Sequence, residues 1–400
     1  MRGPVKVEPG VKLSDTCSQE CFRGEPEHGT IDRTAHAGIS LKSHGMNTAT
    51  ARKLAAIAAL APSADNCQPW VLRWNGSALA IEYAPRQPEL QVFGAGSHAT
   101  LLAIGALVAN LESAIATNGM SATWEWSARP EDGSPYAVVT LRGAPAHFTA
   151  PEGPMRRHTN RETYRRDPLP PEVARAVDGR RTNDNRVTLL TDRRSRSTVT
   201  RLVRIASEAR FCNRELHRWL IGSLRHTPEA VARGDGLDVR TLGLPAGGAQ
   251  LLRFIGDWPR LNALNRFGVY KLLALSEIGP FGAAPGLLCV AGRSEPRSII
   301  DAGSLLARVW TDLNLLGIAV QPYYVVTDQI GRLRDGALPP GFAPRIAEVE
   351  HEVGRLLQLQ PGERLHMILR VGRPRSEPMR SRRLPLDAVF VNATAATRDG

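Results

Sequence analysis

Residues 48–60, TATARKLAAIAAL, carry apolar side chains at helical spacing behind Asn47 or Thr48 as N-cap, and predict a helix seated on a core. A longer amphipathic helix is predicted over GALVANLESAIATNG (105–119), followed by strands in MSATWEW (120–126) and YAVVTLRGAP (136–145). The same succession returns later, as a helix in GSLLARVWTDLNLLG (303–317) and strands in IAVQPYYVV (318–326) and LHMILRVGRP (365–374). Superposing the two helices sets Gly105 on Gly303 and Gly119 on Gly317, and VVTLRGAP reads beside MILRVGRP. This order of elements reads as an internal repeat of two α+β units, the first over 47–150 and the second over 151–390, with a tail at 391–400.

Two segments break the pattern. Residues 1–46 are rich in Gly, Pro, Ser and charge without apolar periodicity, and predict a disordered extension. Residues 225–268 are dense in Gly and Pro but keep short apolar pieces, which favour a lid inserted in the second unit over a disordered insertion.

Charge and composition narrow the function. The 400 residues carry a net charge of +12, mostly from arginine, which raises nucleic acid as a partner. The basic clusters at 156–166, 179–196 and 370–383 have no interleaved stacking aromatics, helix-turn-helix or finger spacing, so no nucleic-acid partner is expected and anion sites are. The longest apolar runs, LLAIGALVANL and GLLCVAG, are too short to span a bilayer, and no membrane partner is expected. Five scattered cysteines form no disulfide framework, the ten histidines show no metal spacing, and the first residues lack a secretory apolar block. A cytoplasmic protein without a metal is the expectation.

Two short stretches carry candidate chemistry. APSADNCQPW (61–70) packs Ser63, Asp65, Asn66 and Gln68 between a helix and Trp70, itself a core candidate. RHTNR (157–161) spaces Arg157, Thr159 and Arg161 two residues apart, so that two guanidiniums flank a hydroxyl. On composition this is either a solvated basic turn or a compact receptor for a phosphate and a neighbouring polar group.

Taken in order, APSADNCQPW, RHTNR, the helix ending at Gly317 before an apolar strand, RVGRP and RSRRLPLDAVF resemble the nitroreductase superfamily of FMN-dependent enzymes, over about residues 48–390. The family's arginine motif reads R-x-S-x-R, here with threonine for serine, and its flavin-contacting loop reads P-S-x-x-N-x-Q-P-W. The usual order is reversed, because here the loop precedes the arginine motif by almost a hundred residues. The resemblance implies a homodimeric ancestor whose two subunits are fused into an internal pseudo-dimer, as in the Acg-like branch. One flavin site is retained, because the first half has no arginine motif and the second half's equivalent loop reads ASEARFCNREL.

The resemblance further implies an α+β nitroreductase-like FMN-binding fold, acting as a monomer or weak homodimer. It assigns Arg157 and Arg382, with Thr159 and Arg380, to the FMN phosphate, and Arg161 to the pyrimidine edge of the ring. Pro62, Ser63 and Asn66 would reach the flavin from the other half, with Asn213 as a further ring contact. The backbone of Gln321, Pro322, Tyr323 and Tyr324 would face N5, so no catalytic side chain is assigned. The implied activity is NAD(P)H-linked two-electron transfer to a small organic substrate. The alternative is a non-catalytic protein that sequesters FMN beneath the lid.

Overall fold

The computed structural model describes residues 47–86, 92–128 and 133–394. The extension expected over 1–46 and the last residues of the tail, 395–400, lie outside the described residues.

Helix α1 (Thr48–Ala58) starts where the Asn47 side chain accepts from Thr50 N at 2.8 Å, an N-cap that satisfies an otherwise orphaned donor. Its buried face holds Leu54, Ala55 and Ala58. The carbonyls of Ile57 and Ala58 at its end accept from the buried Asn110 amide at 3.3 and 3.4 Å. The first half continues through β1 (Trp70–Trp74), β2 (Ala78–Tyr83), α2 (His98–Thr117), β3 (Ser121–Trp126) and β4 (Ala137–Arg142).

The second half opens with α3 (Glu152–Arg156), α4 (Pro171–Val177), β5 (Asn185–Leu190), α5 (Arg193–Phe211) and α6 (Arg214–Ser223). The segment expected to form a lid folds into short pieces: β6 (Leu224–Arg225), α7 (Pro228–Ala232), β7 (Leu237–Asp238), α8 (Gly248–Phe254) and α9 (Trp258–Asn265). Helix α10 (Val269–Gly282) follows. The half closes with β8 (Gly286–Arg293), α11 (Pro296–Leu315), β9 (Ala319–Tyr323), α12 (Val325–Arg334), α13 (Ala343–Leu357), β10 (Glu363–Gly372), α14 (Leu386–Val389) and β11 (Phe390–Asn392).

The chain is α+β, and its halves share one topology. The first sheet runs β11-β1-β2-β4-β3 and the second β5-β8-β10-β9. Setting aside β11 and the separate two-stranded β6–β7 sheet, each of these two sheets orders its half's four strands first, second, fourth, third, and every one of these pairings is antiparallel. Strand β11 returns from the second half to pair in parallel with β1, with Leu72 opposite Phe390. One apolar core runs through both halves, from Leu54, Trp70 and Leu107 to Trp310, Val320 and Phe390. The strand expected through Val326 ends at Tyr323, because Val325 and Val326 bury in a second cluster with Val203 and Ile330 as the first turn of α12.

Helices α2 and α11 cross at the centre with their backbones nearly touching. A Cβ at Gly105 would lie 1.9 Å from the Ile300 carbonyl oxygen, and one at Gly303 would lie 2.2 Å from that of Leu102. The contact is reciprocal, each glycine meeting the residue three before the other. Ser304 Oγ donates to the Gly105 carbonyl at 2.7 Å and locks the register. Helix α2 is also the one described helix long and apolar enough to cross a membrane, and 83% of its apolar window is buried inside the protein.

Gly105→Ala and Gly303→Ala are each expected to cost about 3 kcal/mol or more, the upper end of overpacking penalties, because backbone atoms cannot move aside as a side chain can. Gly94→Ala, with no atom within 4 Å of the added carbon, is the control. Urea denaturation reads the difference, and a Gly303→Ala midpoint equal to the parent's contradicts the crossing.

Candidate functional site

The loop after α1 is held in an unusual conformation. Asp65, Asn66 and Gln68 have φ of 44°, 59° and 49°, in the left-handed region that costs energy for residues with a Cβ. Ser63 Oγ closes the loop by accepting from Gln68 N at 2.9 Å, and the Asp65 carboxylate accepts from the Trp219 indole on α6 at 2.8 Å. Burial pushes the Asp65 carboxyl up, opposed by the charge of Arg210, the Trp219 hydrogen bond and the charge of Arg161.

The strained turn aims two amides at a strap formed by residues 234–243. Asn66 Nδ2 donates to the carbonyls of Gly234, Gly236 and Arg382 at 3.1, 2.9 and 3.0 Å. Gln68 Nε2 donates to Gly234 O at 2.9 Å, and Gln68 Oε1 accepts from Leu384 N at 3.1 Å. The strap lies so close that a Cβ on Gly234 would fall 2.0 Å from Arg383 O. Thr241 O, further along it, accepts from Arg161 Nη1 at 3.3 Å.

The arginines come in from the second half. Arg157 follows α3, lies buried over the Trp310 ring with its guanidinium carbon 5.1 Å from the centroid, and donates to Leu60 O. Arg383 donates to the same Leu60 oxygen at 3.3 Å and to Asn66 Oδ1 at 2.6 Å. The Nε atoms of both are buried without a partner. No carboxylate pairs with either guanidinium among the described residues. Burial, then the Arg383 charge, lowers Arg157 to about 9, and burial lowers Arg383 to about 10. Holding two such charges together without a counter-ion costs on the order of several kcal/mol.

The other sequence-derived residues divide. Pro62, Ser63, Thr159 and Arg161 are half-buried, and Asn66 is buried. Burial lowers Arg161 against the opposing charge of Asp65. Gln321 and Tyr323 lie on β9, where Gln321 Oε1 is buried without a partner and the Tyr323 hydroxyl donates to Glu277 O at 3.5 Å. Asn213 caps α6, accepting from Leu216 N at 3.0 Å and donating to Ala337 O at 3.3 Å. Arg380 and Arg382 are exposed. In the RSRR run it is Arg383 that turns inward, which a reading without backbone geometry has no means of selecting.

A polar chain that sequence reasoning missed joins the halves nearby. His98 Nδ1 lies 3.0 Å from the Tyr324 hydroxyl and His98 Nε2 lies 2.9 Å from His366 Nδ1. Tyr324 packs edge-on against Phe93, and Phe93 against Trp219, the partner of Asp65. No local motif flags three residues so far apart in the chain. Burial, then the Arg364 charge, holds both histidines neutral, His98 well below its ordinary value and His366 at about 3.

No family model matches the chain. Over 329 residues it is 25% identical to Uncharacterized protein MT1398 of Mycobacterium tuberculosis (strain CDC 1551 / Oshkosh), covering 80% of this chain and 45% of that protein. The chain thus spans less than half the length of the curated relative it matches. Among solved structures it is similar to the FMN- and NADPH-dependent nitroreductase NfnB from sphigopyxis sp. strain HMH, at 20% identity and a TM-score of 0.33, over 60% of this chain and 97% of that one. It is also similar to the FMN-dependent nitroreductase NfnB from Mycobacterium smegmatis in complex with NADPH, at 18% identity and a TM-score of 0.33, over 58% and 92%. A third is oxidized iodotyrosine deiodinase bound to FMN and 3-iodo-L-tyrosine, at 17% identity and a TM-score of 0.29, over 58% and 92%.

The histidine chain sets an acid limit. Unfolded histidines take up protons near pH 6.5, whereas the folded ones stay neutral well below it, so the unfolded state binds more protons as pH falls. Stability is fully present above about pH 7 and is lost below it, by up to about 1.4 kcal/mol per pH unit for each histidine. Urea midpoints measured between pH 7.5 and 5 should fall, less steeply in His98→Gln. A parent equally stable at both ends contradicts this.

Proposed function

We propose that the chain is an FMN-dependent oxidoreductase of the nitroreductase type, a fused pseudo-dimer with one flavin site where its halves meet. The observation that carries this reading is the Arg157–Arg383 pair, one buried and one half-buried guanidinium that share one carbonyl and have no carboxylate partner among the described residues. A dianionic phosphate supplies the missing charge and acceptors for the two orphaned Nε–H groups, with bonds of the charge-assisted kind. The loop motif and RHTNR, whose resemblance to flavin-binding sequences is independent of this geometry, favour the phosphate of FMN over another anion.

Bound FMN would supply two-electron transfer between NAD(P)H and a small organic substrate. The chain's own residues have other tasks. Arg157 and Arg383 hold the phosphate, with Thr159 beside them in the motif. Arg161 carries positive charge toward the ring, and Gln321, with its unpartnered buried oxygen, offers an acceptor from β9. Pro62, Ser63 and Asn66 wall the site from the first half. Arg380 and Arg382 belong to its rim. The chain is cytoplasmic and acts without a metal.

A specific observation favours a second reading, in which the protein sequesters flavin without turnover. The strap spends Asn66 and Gln68 on its own carbonyls and lies against Arg161 and Arg383. Under this reading the strap closes over bound flavin and excludes NAD(P)H. NAD(P)H oxidation by the flavin-loaded protein separates the two, since turnover requires access past the strap.

Arg157→Ala and Arg383→Ala are each expected to weaken FMN binding by roughly 1.5–3 kcal/mol, about ten- to a hundredfold, read by flavin fluorescence quenching on the apo-protein. Wild-type affinity in both variants defeats the phosphate assignment.

Asn66→Ala removes the amide that ties loop to strap, and a loss of roughly 1 kcal/mol, about fivefold in affinity, is expected with faster flavin release. Release at the parent rate would mean that the strap does not retain flavin.

A further inference from the structure

The flavin reading leaves α10 and the turn before it unexplained. Its sequence, VYKLLALSEIGPFG, is apolar around most of its circumference, a composition suited to a fully buried helix or to a membrane boundary. Yet it buries only Leu273, Ala274 and Phe281. On the outside Phe267 is 89% exposed, Leu272 65% and Leu275 48%, and Phe254 on the neighbouring α8 is 52% exposed. Ile255, Leu261 and Leu273 form a small core that joins α8, α9 and α10, so the exposed residues stand on a packed platform.

The charges around this face are mainly positive. Arg253, Arg260, Arg266 and Lys271 are all exposed. The acids of the same stretch are engaged: Asp257 caps α9 by accepting from Arg260 N at 3.0 Å, and Glu277 pairs with Arg210. Arg253, Arg266 and Lys271 have no ion pair among the described residues. A second copy of this chain is a poor occupant, because a two-fold contact sets Arg266 and Lys271 against their own like-charged twins on a molecule of net charge +12. Projecting Phe and Leu ringed by unpaired Arg and Lys instead match an interface of anionic headgroups over acyl chains.

We propose that the face made by Phe267, Leu272 and Leu275, with Arg266 and Lys271 beside it, docks the protein on an anionic lipid surface. Phe267, at the tip of the α9–α10 turn, enters the headgroup boundary first, with Leu272 and Leu275 behind it. The cations hold the helices against the headgroups. This docking needs no segment that crosses the bilayer, so a search for apolar spans passes over this surface, and the expectation of no membrane partner rested on such a search. The proposal does not depend on flavin binding.

Co-sedimentation of the full chain with phosphatidylcholine vesicles, and with vesicles of phosphatidylcholine and phosphatidylglycerol at about three to one, tests it. Binding is expected to the anionic vesicles and not to the neutral ones. Phe267→Ser with Leu272→Ser should weaken it at least about tenfold, and Arg266→Glu with Lys271→Glu about thirtyfold or more. Since these four side chains are exposed, melting temperatures should stay at the parent value. Absence of binding to anionic vesicles overturns the proposal. So does binding that survives the apolar double variant, which would be unspecific adhesion of a basic protein. A dimer in gel filtration that the apolar variant dissociates, without vesicle binding, assigns the face to self-association and also overturns it.

Discussion

The backbones of α2 and α11 touch at Gly105 and Gly303, and the relation between the two halves follows from that contact. Without a Cβ at either position the helix axes close until each glycine meets the carbonyl three residues before its counterpart. The approach lets Leu107 and Leu111 on one helix share a core with Leu306 and Trp310 on the other. Trp310 in turn supports Arg157 from below, and α2 carries the Asn110 that finishes α1, whose last turn leads to the Leu60 carbonyl. The place where the two arginines converge is therefore set by a helix crossing that involves neither of them.

At that place the fold does something costly. Buried arginines in this molecule are answered by carboxylates, as Arg225 is by Asp235 and Arg332 by Asp328, or, as at Arg370, by carbonyls and the face of Tyr164. Arg157 and Arg383 have only carbonyl and amide oxygens; burial lowers both pKa values, and the charge of Arg383 lowers that of Arg157 further. The strained loop beside them supplies amides to a strap rather than an acid to neutralise them. Strain and unpaired charge in one spot are what a site prepared for an anionic ligand requires.

Much of the framework was legible in the chain. Strands at 121–126, 137–142, 319–323 and 363–372 follow the apolar pattern, and the matched glycines of the two long helices mark the crossing. The parallel addition of β11 to β1 was not legible, since three residues carry no pattern that names a partner more than three hundred positions away. The structure of 225–268 escaped because its elements are two to eight residues long, below the length at which periodicity speaks. Within the site, RHTNR and APSADNCQPW locate the arginine and the amides, but which arginine of RSRR faces inward depends on a one-residue rotation of extended chain. The Tyr324–His98–His366 chain depends wholly on tertiary placement. That Asn213 also caps α6 follows from where α5 ends and α6 begins, a boundary the apolar pattern does not mark.

In the proposed function Arg157 and Arg383 form the phosphate end of a single flavin site. Calorimetric titration of the apo-protein with FMN and, separately, with riboflavin tests it most directly, because the two ligands share the ring and ribityl chain and differ only in the phosphate. About one FMN per chain is expected, with an affinity for riboflavin lower by at least about a hundredfold, the loss of two charge-assisted contacts. Equal affinities, or two FMN per chain, would contradict it.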